Sequence, residues 1–330
     1  MYPSRAKPYS GVFVKNQYYH LLDKMKGGVE IYYMERSFTN KAGSLVKYVL
    51  FFLGFCKFFF KKYTVVHVHY FGPHYFLALA YKLFHWKCRI IITFHGGDET
   101  RLDNLLYRWL ASYSDTAIYV GSGQKVYVSS LKKYNVCIKR LPAGIDQAVF
   151  FHQGLREKKY DFIFVGSFYK VKGFDIFVKA VKKFNPGDVK ICIVGSGPLE
   201  QQLKEELCGH SFDLFKDVSQ ERISYLLNKS KWLVFPSRGD SFGLAVSEAL
   251  YCGTPVIASG ILGVKDQVDI GKNSLLVSDL NSVNLFFYMR KAMLMPAHEY
   301  EKYKRSCIFS ERTYSLDNVC RELINIYKAS

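Results

Sequence analysis

The feature that most constrains this 330-residue chain is the regular alternation of short apolar runs with segments of helical length. Runs rich in β-branched and aromatic residues occupy Val29–Met34, Val65–Tyr70, Arg89–Phe94, Thr116–Gly121, Asp161–Ser167, Lys190–Gly195, Trp232–Ser237 and Pro255–Ser259. Between them, Leu102–Ser112, Phe174–Phe184, Leu199–Leu207 and Ser219–Leu227 carry apolar residues at helical spacing. Strands alternating with helices form parallel sheets covered on both faces. At about 150 residues per domain the length predicts two such domains. The polar stretch His152–Lys159 is read as the linker between them. Ligands of parallel sheets bind beyond the carboxyl ends of the strands, so two sheets facing each other put the expected site in a cleft.

Composition narrows the partners. Apolar residues make up 49% of the chain, enough for two cores and too many for a disordered protein. The net charge of +18 is uneven: residues 1–150 hold 21 Lys and Arg against 8 Asp and Glu, the remainder 25 against 20. The first half is therefore expected to meet an anion. Nucleic acid is set aside, because no basic groove-reading element or module-ordered stacking aromatics occur. Most aromatics sit in apolar runs such as Phe58-Phe59-Phe60. Eight cysteines without a Cys-x-x-Cys pair read as reduced thiols of a cytoplasmic protein. The opening Met1-Tyr2-Pro3-Ser4-Arg5 does not lead into a secretory apolar run. The most apolar stretch, Tyr48–Phe60, is interrupted by Lys57 and falls short of the roughly 20 residues a membrane span needs.

Within residues 44–62, Lys47, Lys57 and Lys61 fall on one side of a helical wheel, with Phe and Leu elsewhere. Such a segment lies in a membrane interface with its lysines against anionic headgroups, or covers the first sheet with its lysines reaching water. The strongly basic surroundings favour the interface, and with it a location at the inner face of the membrane.

Chemistry concentrates in three places. The run Phe235-Pro236-Ser237-Arg238-Gly239-Asp240-Ser241-Phe242-Gly243-Leu244 passes from a buried strand through a short loop into a helix, and Glu248 follows two turns later. Free backbone N–H groups of Phe242, Gly243 and Leu244 at that helix start suit a diphosphate, and Gly243 allows close approach. Asp240 and Glu248 flank this anion site as acceptors for hydroxyl groups. The second place is Phe164–Asp175, a strand–turn with Gly166, Ser167, Lys170, Lys172 and Gly173, followed by the turn Gly195-Ser196-Gly197-Pro198. The third is Thr93-Phe94-His95-Gly96-Gly97-Asp98 at the end of a first-domain strand. His67 and His69 share a strand face but lack a third ligand at useful spacing, so a zinc site is rejected.

Asp240-x7-Glu248 resembles the acid-x7-Glu signature of the retaining family-4 glycosyltransferases, with Asp where Glu is usual. The resemblance extends over nearly the whole chain and implies the GT-B fold, two Rossmann-like domains at residues 1–152 and 153–312. Residues 313–330 resemble that family's closing helix, which returns to the first domain. It implies that Asp240 contacts donor-sugar hydroxyls, that Glu248 binds the nucleotide ribose, and that Lys172 neutralises the diphosphate beside Gly195. Ser167 stands where an Arg is common. His95 would meet the sugar, and Gly11, in Pro8–Val14, the phosphates or acceptor. The implied reaction moves a sugar from a nucleoside diphosphate, UDP first, to a glycan or lipid-linked acceptor of bacterial surface polysaccharide synthesis. No Asp-x-Asp occurs, so neither metal nor other cofactor is expected. A non-catalytic binding subunit and a sugar-nucleotide 2-epimerase share the architecture and stand as alternatives. The family's first strand is missing before Tyr2, which reads Met1 as internal to a longer chain.

Overall fold

A computed structural model describes residues 11–34, 41–155, 157–309 and 314–329 of the protein. The chain divides into two compact units, one of Met1–Gly144 with Leu316–Ser330, the other of Ile145–Ser315.

In the first unit four parallel strands, β1 (Val65–His69), β2 (Arg89–Phe94), β3 (Thr116–Tyr119) and β4 (Cys137–Arg140), lie across the sheet in that order. Along β2, Ile90, Ile92 and Phe94 enter a core with Val68, Tyr75 and Leu110. Ile91 faces the other way, to Leu21, Ile118, Leu316, Val319 and Leu323. This period-two division with both faces apolar is what a doubly covered strand requires. The helices Val12–Lys24 and Leu316–Lys328 cover the second face, the latter burying one stripe of Leu316, Val319, Cys320 and Leu323.

In the second unit six parallel strands, β5 (Tyr160–Val165), β6 (Ile191–Val194), β7 (Phe212–Phe215), β8 (Ser230–Phe235), β9 (Val256–Ser259) and β10 (Ser274–Val277), are ordered β10-β9-β8-β5-β6-β7. Phe162, Phe164, Ile193, Trp232 and Val234 point into one core, and Ile163, Cys192, Leu233 and Phe235 into the other. The chain runs outward from β5 through β6 and β7, then returns to the opposite side of β5 for β8. Strand order therefore reverses between β5 and β8, the place where doubly wound sheets open a crevice for ligands.

Several expectations need correction. Val29–Met34 is not a strand, because no neighbouring strand among the described residues offers it ladder hydrogen bonds. Three unexpected strands, β4, β7 and β10, are four-residue edge strands; β4 and β7 have no buried residue to mark them. The units divide at Gly144/Ile145 and Ser315/Leu316 rather than at 152/153 and 312/313. The reason is that Ile145 and Phe150 are buried in the second unit's core. The expected linker is likewise tied to that unit: Gln153 N donates to Asn228 Oδ1 at 2.8 Å and Lys158 Nζ to Asn228 O at 2.7 Å. The basic aromatic segment is a helix, Lys41–Phe55, followed by a tighter 3-10 turn, Cys56–Phe60, rather than one continuous helix. No helix among the described residues is long and apolar enough to cross a membrane. Expectations attached to Met1–Ser10 and Thr313 fall outside the described residues.

Candidate functional site

The loops that follow β5, β6 and β8 leave the sheet beside the reversal point, and glycines let them meet. Gly173 has φ +69°, and a Cβ there would stand 1.7 Å from Pro236 O. A Cβ on Gly195 would stand 2.0 Å from Gly166 O. Only glycine permits such backbone approach. The β5 and β8 loops are also tied by Arg238. Its N–H donates to Val171 O at 2.8 Å, and its guanidinium donates to both oxygens of Asp175, at 2.7 and 2.8 Å. Burial opposes ionisation of Asp175, but the Arg238 fork outweighs it and holds the carboxyl below its usual range.

This brace brings Lys172 to Asp240. Nζ donates to Asp240 Oδ2 at 2.7 Å, and the Ser237 hydroxyl lies 3.2 Å from the same oxygen. The Asp240 side chain is only 16% exposed. Its second oxygen has no hydrogen-bond partner among the described residues. Cation and acid thus meet directly, an arrangement that the spacing of Lys172 and Asp240 does not announce. Ser167 is exposed on the turn above Gly166.

The helix Leu244–Tyr251 starts at Gly243, φ +81°, where a Cβ would press on the Phe235 ring at 3.1 Å. Gln267 anchors the preceding turn: Nε2 donates to Phe242 O and, at 2.7 Å, to Gly263 O, while Oε1 accepts from Ser247. The Phe242 ring is buried edge-on against Tyr314, with centroids 5.1 Å apart, so Phe242 can offer a ligand only its backbone. Ser241 is half-buried beside it. The first N–H groups of this helix have no intrahelical acceptor and lie at its positive end, which suits an anion.

Glu248 lies deeper on the same helix, half-buried. No donor among the described residues reaches its carboxyl. Burial alone pushes the group up to about 7. A recessed acceptor without donors is costly unless a ligand supplies them.

His95 and Gly11 belong to the first unit. Gly11, φ +70°, caps the helix Val12–Lys24, and Phe13 in its first turn places its ring 4.9 Å from that of His95. His95 follows β2 directly. Its N–H and that of Gly96 donate to Asp98 Oδ1 at 3.0 and 2.9 Å, while Phe71 N donates to Oδ2 at 2.8 Å. Asp98 is therefore a loop staple with both oxygens engaged. Burial raises its pKa despite these three bonds. Among the described residues no group of three or more His, Cys, Asp and Glu is gathered to hold a metal ion.

The first unit also bears an exposed apolar patch. Phe60, Leu83 and Trp86 are 90, 84 and 76% exposed. Phe59 joins the two segments through an edge contact with Phe84 at 5.5 Å, and Lys57, Lys62 and Lys87 are exposed around them. Lys61 is instead paired with Glu30 at 2.8 Å.

Sequence reasoning assigned no role to Ser237, Arg238, Asp175 or Gln267, which hold the site together. Their partners lie on other loops, and no spacing rule links them. Only the position of Ser237 and Arg238 directly after β8 could have singled them out.

Two parallel-sheet α/β units, the second doubly wound with glycine turns, a Lys–Asp pair and a recessed carboxyl at its reversal point, define the GT-B class. The model of "Glycosyl transferases group 1" matches residues 146–306, and that of "Glycosyltransferase Family 4" matches residues 22–149. The chain is a GT-B glycosyltransferase family 4-like protein, and the families it matches are transferases. It is 28% identical over 205 residues to an uncharacterized glycosyltransferase of Methanocaldococcus jannaschii, covering 59% of this chain and 56% of the relative. It is 29% identical over 231 residues to N-acetyl-alpha-D-glucosaminyl L-malate synthase of Bacillus anthracis, covering 64% of this chain and 60% of the relative. These matches thus span less than two thirds of either relative. Among solved structures, sucrose-phosphate synthase of Thermosynechococcus elongatus superposes with a TM-score of 0.77 at 17% identity, over 99% of this chain and 94% of that one. Anabaena HepE, solved in complex with UDP, superposes with a TM-score of 0.71 at 14% identity over 99% of both chains.

Proposed function

We propose that the protein transfers a sugar, with retention, from a nucleoside diphosphate sugar to a hydroxyl of a glycan or lipid-linked acceptor. The observation that carries this reading is the recessed Glu248 carboxyl, lacking donors, two turns behind the helix start that faces the strand-order reversal. Paired ribose hydroxyls are donors of the right kind for it. The N–H groups of Phe242, Gly243 and Leu244, with Ser241 beside them, receive the diphosphate, and Lys172 balances the charge that builds on it as the sugar departs. Gly195, packed against Gly166 O, and the exposed Ser167 border the phosphates. Asp240 accepts from sugar hydroxyls through its unengaged oxygen. His95 and Gly11 take the roles that the family pattern assigns them, toward the sugar and toward the phosphates or acceptor. UDP is the first choice of nucleotide, supported by relatives of the same fold solved with it. Both oxygens of Asp98 are committed to backbone N–H groups, which speaks against the epimerase alternative, since that chemistry needs a free carboxyl there.

Calorimetric titration with UDP, GDP and ADP, beside a Glu248→Ala variant, tests the proposal. Micromolar binding of one diphosphate, weakened at least ~30-fold in the variant, is the expected result. Equal binding by both proteins would overturn the ribose role of Glu248, and binding of none would remove the donor reading.

The exposed patch of Phe60, Leu83 and Trp86 with its lysines supports peripheral contact with an anionic membrane, and thereby a lipid-linked acceptor in surface polysaccharide synthesis. Flotation with phosphatidylglycerol vesicles should carry the protein upward. A Phe60→Ser/Trp86→Ser double variant that floats equally well would refute this contact.

A further inference from the structure

Beneath His95 lies a row of side chains that the proposed reaction does not use. His67 and His69 of β1 point to the same face as Thr93 of β2, because they are two residues apart on paired strands. His67 is fully engaged: Nδ1 lies 2.7 Å from the Tyr327 hydroxyl and Nε2 lies 2.7 Å from Thr93 Oγ1. His69 Nδ1 lies 2.9 Å from His95 Nε2, with the two rings stacked at 15° and their centroids 5.2 Å apart. Among the described residues, neither His69 Nε2 nor His95 Nδ1 has a hydrogen-bond partner.

From this pairing we infer that His69 is a positioning residue for His95: it accepts the Nε2 proton of His95, locks the ring, and leaves His95 Nδ1 as a bare acceptor for a substrate hydroxyl. The inference rests on His95 acting at the sugar, as proposed above.

The direction of the bond follows from imidazole chemistry. One proton occupies a contact between two neutral rings. A neutral imidazole prefers its proton on Nε2, and donation from His95 Nε2 to His69 Nδ1 gives both rings that tautomer. The opposite direction would force both into the less favoured form. Protonation of either ring would put a cation in a partly buried cluster. Among the described residues the neighbours offer it no free anion: His67 and His69 come from β1, Tyr70 and His74 follow it, and Tyr327 comes from the last helix. Arg101 is a cation bonded to Phe71 O, and Asp98 is committed to backbone N–H groups. Burial accordingly holds His67, His69 and His95 below the ordinary histidine range, His69 to about 3. His95 then presents the same lone pair across the working pH range.

Three variants at one position separate the roles. His69→Phe keeps a ring but no acceptor, and is expected to lower kcat about 10–100-fold with little change in donor KM. His69→Asn restores an acceptor oxygen and should recover most of that loss. His69→Asp places an anion on His95 Nε2–H and stabilises its protonated form. The acid limb of the kcat–pH profile should then move up by at least ~1 unit, a shift that a purely structural role would not cause. Independently of activity, nitrogen-15 spectra of histidine-labelled protein should show His95 protonated at Nε2 and bare at Nδ1. Unchanged kcat in His69→Phe, or a proton on His95 Nδ1, would overturn the inference. Wild-type protein that turns over no donor would defeat the functional reading alone, and the ring-nitrogen shifts would still decide the pairing. Should His69→Phe not fold, the Asn and Asp variants and the spectra carry the test.

Discussion

Glu248 carries a desolvation cost when it is ionised, and this has a measurable sign. Its folded pKa of about 7 stands above the 4.5 of the unfolded chain. The folded state therefore holds the proton more tightly, and stability falls as pH rises from about 4.5 to 7. Glu248→Gln removes the ionisation. With the group half-buried and partly screened, the variant should be more stable than wild type by about 2 kcal/mol at pH 8 and nearly equal to it at pH 4, read by urea unfolding at both pH values. An equal difference at both pH values would mean the carboxyl is not recessed as described. Motif spacing could place Glu248 and Asp240 on their loop and helix. It could not tell that Asp240 is already engaged by Lys172 while the Glu248 carboxyl has no hydrogen-bond donor among the described residues. That distinction depends on which loops close over which oxygen, and Arg238, Asp175 and Gln267 set it across distances in sequence that periodicity does not sense.

At the scale of elements, the site depends on two loops held at backbone contact. Gly173→Ala adds a Cβ against Pro236 O as well as strain from φ +69°. The expected loss is about 2–4 kcal/mol, together with weaker nucleotide binding. Gly187, φ +94°, has open space around a Cβ, so Gly187→Ala should cost only the strain, about 1–2 kcal/mol, with binding intact. Parallel denaturant melts and titrations check both, and equal losses would deny the loop contact. The buried strands β2, β5, β6, β8 and β9 were legible because long apolar runs bounded by glycine or polar residues have few other readings. Edge strands were not: Cys137–Arg140 and Phe212–Phe215 are short, partly polar and nowhere fully buried. Val29–Met34 shows the opposite error, since a strand-like run becomes a strand only where a partner supplies the ladder.

At the scale of the whole molecule, the first unit is discontinuous in sequence: its second core face is closed by Leu316, Val319, Cys320 and Leu323, which follow the entire second unit. Burying each such side chain is worth roughly 1.5–3 kcal/mol, and together they approach the 5–15 kcal/mol by which a domain is stable. A chain ending at Ser315 should therefore lose amide-exchange protection throughout β1–β4 while β5–β10 keep theirs. Retained protection in β1–β4 would show that the helix is dispensable. The same connectivity sets a timetable during synthesis. A ribosome adding about 5–20 residues per second needs roughly 10–30 s to make residues 145–315. For that interval β1–β4 wait with Leu21, Ile91 and Ile118 uncovered, so the part of the protein made first is the last to mature.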